Sequence, residues 1–231
     1  RFLYLIGTAS LLLFTLAVYH FGPNAPRRRL LHDLPGQYVL SLRVVVPLAV
    51  SAEPAGQEGI ASMTARLLDE GTASLGSDEF AELMERHGMV LGAGVSDGGL
   101  LVDVDVSQRH LATAAGLLTQ ALAAPAFPED EVRRILRNRL AEIEQERASS
   151  AHRASKEFAR TLWDPADRAS RPTGGTPESI GALTRDDLVE FHATHVGPDG
   201  ATVVVAGDLT DVDVLAVLEA TLGTWSAPRH T

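Results

Sequence analysis

The 231-residue sequence contains no cysteine and a single lysine, Lys156. Without cysteine, the chain has no disulfide bond, no thiolate zinc site and no cysteine nucleophile. Aromatic residues make up only 5% of the chain, and the 30 acidic residues outnumber the 20 basic ones, for a formal net charge of -10. An acidic chain binds phosphate backbones poorly, so no nucleic-acid partner is expected. The hydrophobic fraction of 45% is large enough for a packed core without covalent cross-links.

One long uncharged run opens the chain. Residues 2–22, FLYLIGTASLLLFTLAVYHFG, carry no formal charge, and 21 helical residues reach about 31 Å, enough to cross a bilayer. Arg27, Arg28 and Arg29 follow the run, which predicts a transmembrane anchor with the rest of the chain on the cytoplasmic side. A cleaved signal peptide fits less well, because the basic cluster follows the run and no A-x-A site is present. A buried hydrophobic segment is the other alternative.

The remaining chain predicts an α+β domain. After a linker at residues 23–28, strand and helix patterns alternate over residues 29–231. The run from Tyr38 to Leu48 is almost continuously apolar, and in GLLVDVDVS the apolar residues alternate with Asp103 and Asp105, so these aspartates lie on the wet face of a strand. A long charged helix opens at Pro128. This order predicts a largely antiparallel sheet covered on one face by helices.

A family resemblance begins at GIASMTARLLDEGT, residues 59–72. This segment resembles the insulinase/pitrilysin family of inverted-motif zinc metallopeptidases, whose members carry a helix of the form G-x-A-H-x-x-E-H-x-x-x-x-G-T. Gly59, Ala61, Gly71 and Thr72 keep the frame. The segments LLTQALAAPAFPEDEVRRILRNRLAEI and RPTGGTPESIGALTRDDLVEFHATHVGPDGATVVVAGDL resemble the family in the same order. The resemblance implies one N-terminal-type repeat of the family fold, preceded by the hydrophobic helix.

The resemblance places the zinc positions of the family on residues that cannot bind zinc. The two histidines of H-x-x-E-H correspond to Ser62 and Arg66, and the glutamate that activates the metal-bound water corresponds to Ala65. A third ligand about 76 residues further on falls on Glu142, although Glu144 and Glu146 leave the register open. A catalytic zinc has three protein ligands, and one carboxylate does not replace them. We therefore predict no catalytic residue, metal or cofactor here, with zinc expected only in an active partner.

Arg66 is predicted to take a specific role. Arginine keeps its charge in proteins, so we expect Arg66 to replace the positive charge of the metal and to pair with Glu142. The alternative is that Arg66 points to solvent and that Glu142 is one more surface acid on a charged helix.

Two other motifs carry weaker predictions. His192 and His195 have the i, i+3 spacing of a metal pair on a helix, but no acidic partner has a matching spacing, so packing roles are favoured. The glycine-rich segment at residues 173–176, TGGT, lacks the P-loop pattern and is predicted to shape a turn before helices capped by Thr176 and Thr184.

The resemblance implies a catalytically inactive subunit. It would pair with an active peptidase of the family, or with a second repeat after Thr231, to form a chamber around an extended peptide held as an added strand. Because the chain starts at Arg1 rather than at methionine, we expect it to be part of a longer protein. Its acidic surface favours basic peptides. An active zinc-dependent metalloendopeptidase with atypical ligands and a membrane-tethered scaffold without a peptidase partner are the alternatives.

Overall fold

A computed structural model describes residues 28–48, 52–96, 98–164 and 167–226. In these residues five strands form one sheet: β1 (Arg28–Asp33), β2 (Val39–Val46), β3 (Val90–Ser96), β4 (Gly99–Ser107) and β5 (Thr202–Gly207). Their spatial order is β1-β5-β2-β4-β3. Only β1 and β5 pair in parallel, and the other three pairings are antiparallel. The predicted, largely antiparallel sheet is therefore confirmed.

Eight α-helices lie in the described residues: α1 (Ile60–Arg66), α2 (Ser77–Arg86), α3 (Leu111–Ala123), α4 (Glu129–Ala148), α5 (Ser150–Leu162), α6 (Pro177–Ala182), α7 (Arg185–His195) and α8 (Val214–Ala220). Short 3-10 turns occupy Gln108–His110, Arg168–Ser170 and Leu222–Thr224. The predicted caps at Thr176 and Thr184 are confirmed, because their side chains accept hydrogen bonds from the backbone N–H groups of Ser179 and Asp187.

The helices cover one face of the sheet. Side chains alternate along a strand, so the two faces separate cleanly in β2 and β4. Leu40, Leu42, Val44 and Val46 of β2 are buried among the helices, as are alternate residues of β4. On the opposite face Arg43 and Asp105 are exposed. The predicted one-sided α+β arrangement, and the wet position of the β4 aspartates, are thus confirmed.

The first two strands do not pair with each other. A turn at residues 34–37 separates them in the chain, but β5 lies between them in the sheet and pairs with both. The sequence distance between β1 and β5 hides this arrangement, because strand patterns show which face is buried and not which strand is the neighbour.

The predicted anchor at residues 2–22 lies outside the described residues and stays a prediction. Within the described part of the chain, no helix combines the length and the hydropathy that crossing a membrane requires.

Candidate functional site

Helix α1 carries Ser62, Ala65 and Arg66, three of the four positions that correspond to the zinc site of the family, and a buried carboxylate fixes where the helix starts. The Glu53 carboxylate accepts hydrogen bonds from the backbone N–H groups of Gly59 and Ala61, at 3.3 and 3.1 Å. Arg168 donates to the same carboxylate through Nε, at 2.8 Å, and through its terminal nitrogen. Both side chains are almost fully buried, with exposures of 1% and 7%. The first turn of α1 is therefore capped by a neutralised internal ion pair.

Two glycines frame the helix for steric reasons. Gly59 has a φ of +94°, and a Cβ built there would lie 2.9 Å from the backbone nitrogen of Gly175 and from Cδ1 of Ile180. Gly71 has a φ of +95°, and a Cβ there would lie 3.0 Å from the carbonyl oxygen of Leu75. Only glycine combines this left-handed conformation with so little space. The two ends of the resembling segment are thus fixed by backbone geometry.

The α-helix is shorter than the sequence periodicity predicts. Hydrophobic spacing extends it to the stop at Gly71, but regular α-helix ends at Arg66. Leu67, Leu68 and Glu70 donate to the carbonyls of Thr64, Ala65 and Leu67, respectively. These are i→i−3 bonds, so the last turn tightens into 3-10 geometry, which is common at helix ends. The buried face continues unchanged through this turn.

Arg66 and Glu142 form a two-point ion pair. Both terminal nitrogens of the guanidinium donate to the carboxylate, to Oε1 at 2.8 Å and to Oε2 at 2.9 Å. The residues lie 76 positions apart, on α1 and α4, so the pair bridges two helices. This confirms the predicted pairing and excludes the alternative of two unrelated surface charges. Of the three glutamates that the sequence left open, Arg66 binds Glu142, whereas Glu144 pairs with Arg147 and Glu146 with Arg139.

Arg139 extends this pair into a network of four charges. Its NH1 donates to Oε2 of Glu142 at 2.9 Å, and its two terminal nitrogens donate to Glu146 at 2.7 and 3.1 Å. The Arg139 side chain is only 8% exposed, whereas Arg66, Glu142 and Glu146 are between 37% and 39% exposed. The network is therefore anchored on its buried arginine and open to water at its carboxylates.

The glycine-rich loop closes over this anchor. Nε of Arg139 donates to the carbonyl oxygen of Gly174 at 2.9 Å. Thr173 and Gly174 form a turn, as predicted. This hydrogen bond joins the loop to the charge network and holds the Arg139 guanidinium in place.

The two arginines lower the pKa of Glu142. The hydrogen bond from Arg66, followed by that from Arg139, holds the pKa of the Glu142 carboxyl below its ordinary value of 4.5, although desolvation acts in the opposite direction. Glu142 is therefore a stable anion at neutral pH, and its two oxygens are already engaged by two guanidinium groups.

The residues present do not fit a zinc ion. Ala65 is buried and has no proton-transfer group, and the Ser62 hydroxyl is a poor ligand at neutral pH. Arg66 cannot coordinate a cation, and both oxygens of Glu142 accept from it. Among the described residues, no group of three or more histidines, aspartates or glutamates has the spacing of a metal site. The positive charge beside Glu142 is therefore supplied by the guanidinium of Arg66.

The two histidines of α7 have packing roles. His192 is buried, its Nε2 lies 3.0 Å from the carbonyl oxygen of Leu122, to which it donates, and its ring lies edge-on to Phe127. Burial lowers the pKa of His192, so the neutral form is favoured at neutral pH. His195 packs on Phe191, with ring centroids 4.6 Å apart. The packing interpretation, which the sequence favoured over a metal pair, is therefore confirmed.

Sequence reasoning missed Arg139, which supports the pair. Arg139 has i, i+3, i+7 spacing to Glu142 and Glu146 on α4, a signal that places all three on one helix face. The pairing of Glu53 with Arg168 spans 115 positions and has no local signal. The same holds for Arg171, whose guanidinium pairs with Glu58.

Comparison with known proteins gives a consistent picture. Residues 30–166 match the family described as Insulinase (Peptidase family M16), and residues 182–231 match the description Peptidase M16 inactive domain. The chain is 28% identical over 153 residues to the non-peptidase homolog YmxG of Helicobacter pylori, which covers 66% of this chain and 35% of that protein.

Two solved structures show the same fold. A protease from Helicobacter pylori aligns with a TM-score of 0.81 at 20% identity, over 93% of this chain and 52% of that one. A peptidase M16 inactive domain from Pseudomonas fluorescens aligns with a TM-score of 0.83 at 20% identity, over 94% and 52%. The chain thus spans about half the length of these structures and about a third of the curated relative.

Proposed function

The chain belongs to the insulinase family, peptidase family M16, as a non-catalytic member, and we propose that it pairs with an active zinc peptidase of that family and forms part of the peptide-binding chamber. The observation that carries this proposal is the ion pair between Arg66 and Glu142. It keeps a positive charge next to the acidic ligand position without a metal. On this proposal, the ion pair keeps α1 and α4 joined at this position, while the residues that would bind zinc and activate water are absent.

The edge strand β3 supports a peptide-holding role. It lies at one end of the sheet order, so its outer edge pairs with no other described strand. Helix α1 packs against it. Edge strands are usually protected by charges or proline, and β3, with the sequence VLGAGVS, contains neither. An extended peptide added to this edge would be held by main-chain hydrogen bonds, on the strand against which α1 packs.

Restoring the zinc ligands tests the non-catalytic assignment. The purified chain is expected to hold no stoichiometric zinc and to show no chelator-sensitive peptidase activity. The double variant Ser62→His/Arg66→His recreates two histidines at i and i+4 opposite Glu142, and is expected to bind about one zinc per chain. Metal analysis after dialysis measures both.

Glu142→Gln in the same double variant is the matched control, and it should remove the bound zinc. Chelator-sensitive cleavage of a peptide by the unsubstituted chain would overturn the proposal in favour of an active enzyme with atypical ligands.

Pairing is tested by co-expression with a family member from the same organism that carries an intact H-x-x-E-H. A complex of fixed stoichiometry in size-exclusion chromatography, with faster peptide cleavage than the partner alone, is the expected result. Separate elution at micromolar concentrations, with unchanged cleavage, would contradict pairing and would favour a scaffold role.

Strand addition at β3 is tested by two adjacent proline substitutions, Ala93→Pro and Gly94→Pro. Successive residues of a strand direct their N–H groups to opposite edges, so one of the two prolines removes a bond to β4 and the other removes only an outward donor. The variant that keeps its thermal stability should lose affinity for an extended peptide. Equal peptide binding in that folded variant would exclude this edge.

A further inference from the structure

A second feature, separate from the zinc-derived pair, is a cleft of about 410 Å³ between the C-terminal half of α4, helix α5 and the loop at residues 171–175. This volume lies within the range of small-ligand pockets in proteins. The cleft adjoins the network described above, because Arg139 and Glu146 form part of its wall. On α4 its wall runs from Arg139 to Arg147, so it extends to both sides of Glu142 along the helix.

The charge of the cleft is opposite to the charge of the chain. Five cationic side chains line it, against one carboxylate, Glu146. Three of the five pair with carboxylates outside the lining, so Arg153 and Lys156 are the two without a carboxylate partner among the described residues. The whole chain carries -10. The cationic residues are Arg139, Arg147, Arg153, Lys156 and Arg171. A concentration of positive charge in a concave site attracts anions locally, whatever the sign of the total charge.

Part of this positive charge is not neutralised by the described residues. Lys156 forms no ion pair with any described carboxylate, and it is the only lysine of the chain. Arg171 binds Glu58 through one nitrogen, but its Nε is buried without a hydrogen-bond acceptor in the described structure. A buried donor without a partner is unfavourable, so an acceptor at this wall would stabilise it.

The start of α5 adds to the positive potential. His152 and Arg153 lie in its first turn and line the cleft. The N-terminal end of a helix carries a partial positive charge. Arg153 also donates to the carbonyl oxygens of Arg147 and Ala148, which fixes its guanidinium at the rim between the two helices.

We propose that this cleft binds carboxylate groups of a peptide, either acidic side chains or a chain terminus. This ligand class is the opposite of the basic peptides that the net charge of the chain favours, and that prediction stays untested. The inference does not depend on pairing with a peptidase, because the cleft is formed by this chain alone. It therefore stands or fails separately from the proposed function.

Binding to the full chain is measured by fluorescence anisotropy with three peptides of equal length. Two have both ends blocked, and the third has a free C-terminus. One carries several Asp and Glu residues with blocked ends, the second carries Asn and Gln in their place, and the third is the second with a free C-terminus. Tighter binding of the first or the third than of the second supports the cleft and identifies the source of the carboxylate. Equal affinities overturn the proposal.

A matched pair of variants locates the binding. Lys156→Gln removes a cleft charge, whereas Arg160→Gln removes a charge from the same helix outside the cleft lining. Lys156→Gln is expected to weaken binding of the acidic peptide by about twofold to fivefold, the range of a partly exposed ion pair, and Arg160→Gln to leave it unchanged. Equal losses in both would indicate general charge attraction and would overturn the site.

The single lysine allows a second readout. An amine-acylating reagent modifies Lys156 and otherwise only the N-terminal amine of the chain. Saturating acidic peptide should slow acylation of Lys156 and leave the N-terminal amine unaffected, as followed by peptide mass spectrometry. Undiminished acylation at saturation would overturn the assignment.

Discussion

Two arginine–glutamate pairs hold opposite ends of α1, and they differ in their contact with water. Glu53 and Arg168, at the N-terminal end, are 1% and 7% exposed. Arg66 and Glu142, at the C-terminal end, are 37% and 39% exposed. Charges that are buried and paired become very costly when one partner is removed, whereas exposed charges are hydrated by water. The buried pair is thus a structural requirement of the helix, while the open pair lies where the family resemblance places two of the zinc ligands.

The largest effect is expected from Arg168→Met, which leaves the Glu53 carboxylate buried without its partner. The free energy of unfolding should fall by about 3–5 kcal/mol. Urea unfolding followed by circular dichroism measures it. Arg160→Met, which breaks an exposed pair with Glu157, is the control and should change stability by less than about 0.5 kcal/mol. A loss below about 1 kcal/mol for Arg168→Met would remove the distinction between the two ends.

A smaller loss is expected from Gly59→Ala, which disturbs the backbone that both pairs depend on. The left-handed φ and the close approach of Gly175 predict a loss of about 1–3 kcal/mol in unfolding free energy. Gly116→Ala is a control of opposite sign, because Gly116 lies inside α3 with open space around its Cβ position. It should stabilise the chain by about 0.5–1 kcal/mol. Losses of equal size in both would contradict the steric argument.

Arg139→Met tests the charge network on α4 that extends the open pair. Its guanidinium is buried, but the carboxylates it serves are partly hydrated and Glu142 keeps Arg66. We therefore expect a loss of about 1–2 kcal/mol, less than for Arg168→Met. Arg137→Met, on the exposed side of α4, is the control. A loss as large as that of Arg168→Met would show that the network is structural throughout.

The smallest stability effect is expected from Arg66→Met, at about 0–1 kcal/mol. Its main effect is on titration, because Arg66 is the first cause of the lowered pKa of Glu142. A lowered carboxyl pKa contributes stability that is fully present above the unfolded value of 4.5 and is lost as the pH falls through the folded value. In Arg66→Met the Glu142 pKa should rise towards 4.5, as measured by NMR titration of the carboxyl carbon. An unchanged pKa would assign the shift to Arg139 alone.

The pairing of Arg66 with Glu142 was predictable because the family spacing brings the two positions together and opposite charges fill them. The α+β class, the wet face of β4 and the caps at Thr176 and Thr184 follow from local patterns that depend on a few neighbouring residues.

The supporting residues could not be predicted in the same way. Arginine is expected on the exposed face of a helix, so hydrophobic periodicity gives no reason to place Arg139 on the buried side of α4. Its burial depends on Glu146 and on the Gly174 carbonyl, a contact 35 positions away. The Glu53–Arg168 pair and the place of β5 depend on still longer separations, which hydrophobic periodicity does not encode.

The position of β5 has a consequence for how the protein is made. During synthesis β1 and β2 leave the ribosome more than a hundred residues before β5, although β5 is the only described strand that pairs with β1. Non-local parallel pairing of this kind is slow to form. Until translation reaches residues 202–207, the nascent chain presents unpaired apolar strand edges, which are targets for aggregation and for chaperones. Any product that stops before Thr202 therefore lacks the strand that joins β1 to the rest of the sheet, even though the whole of α1 and α4 has already been translated.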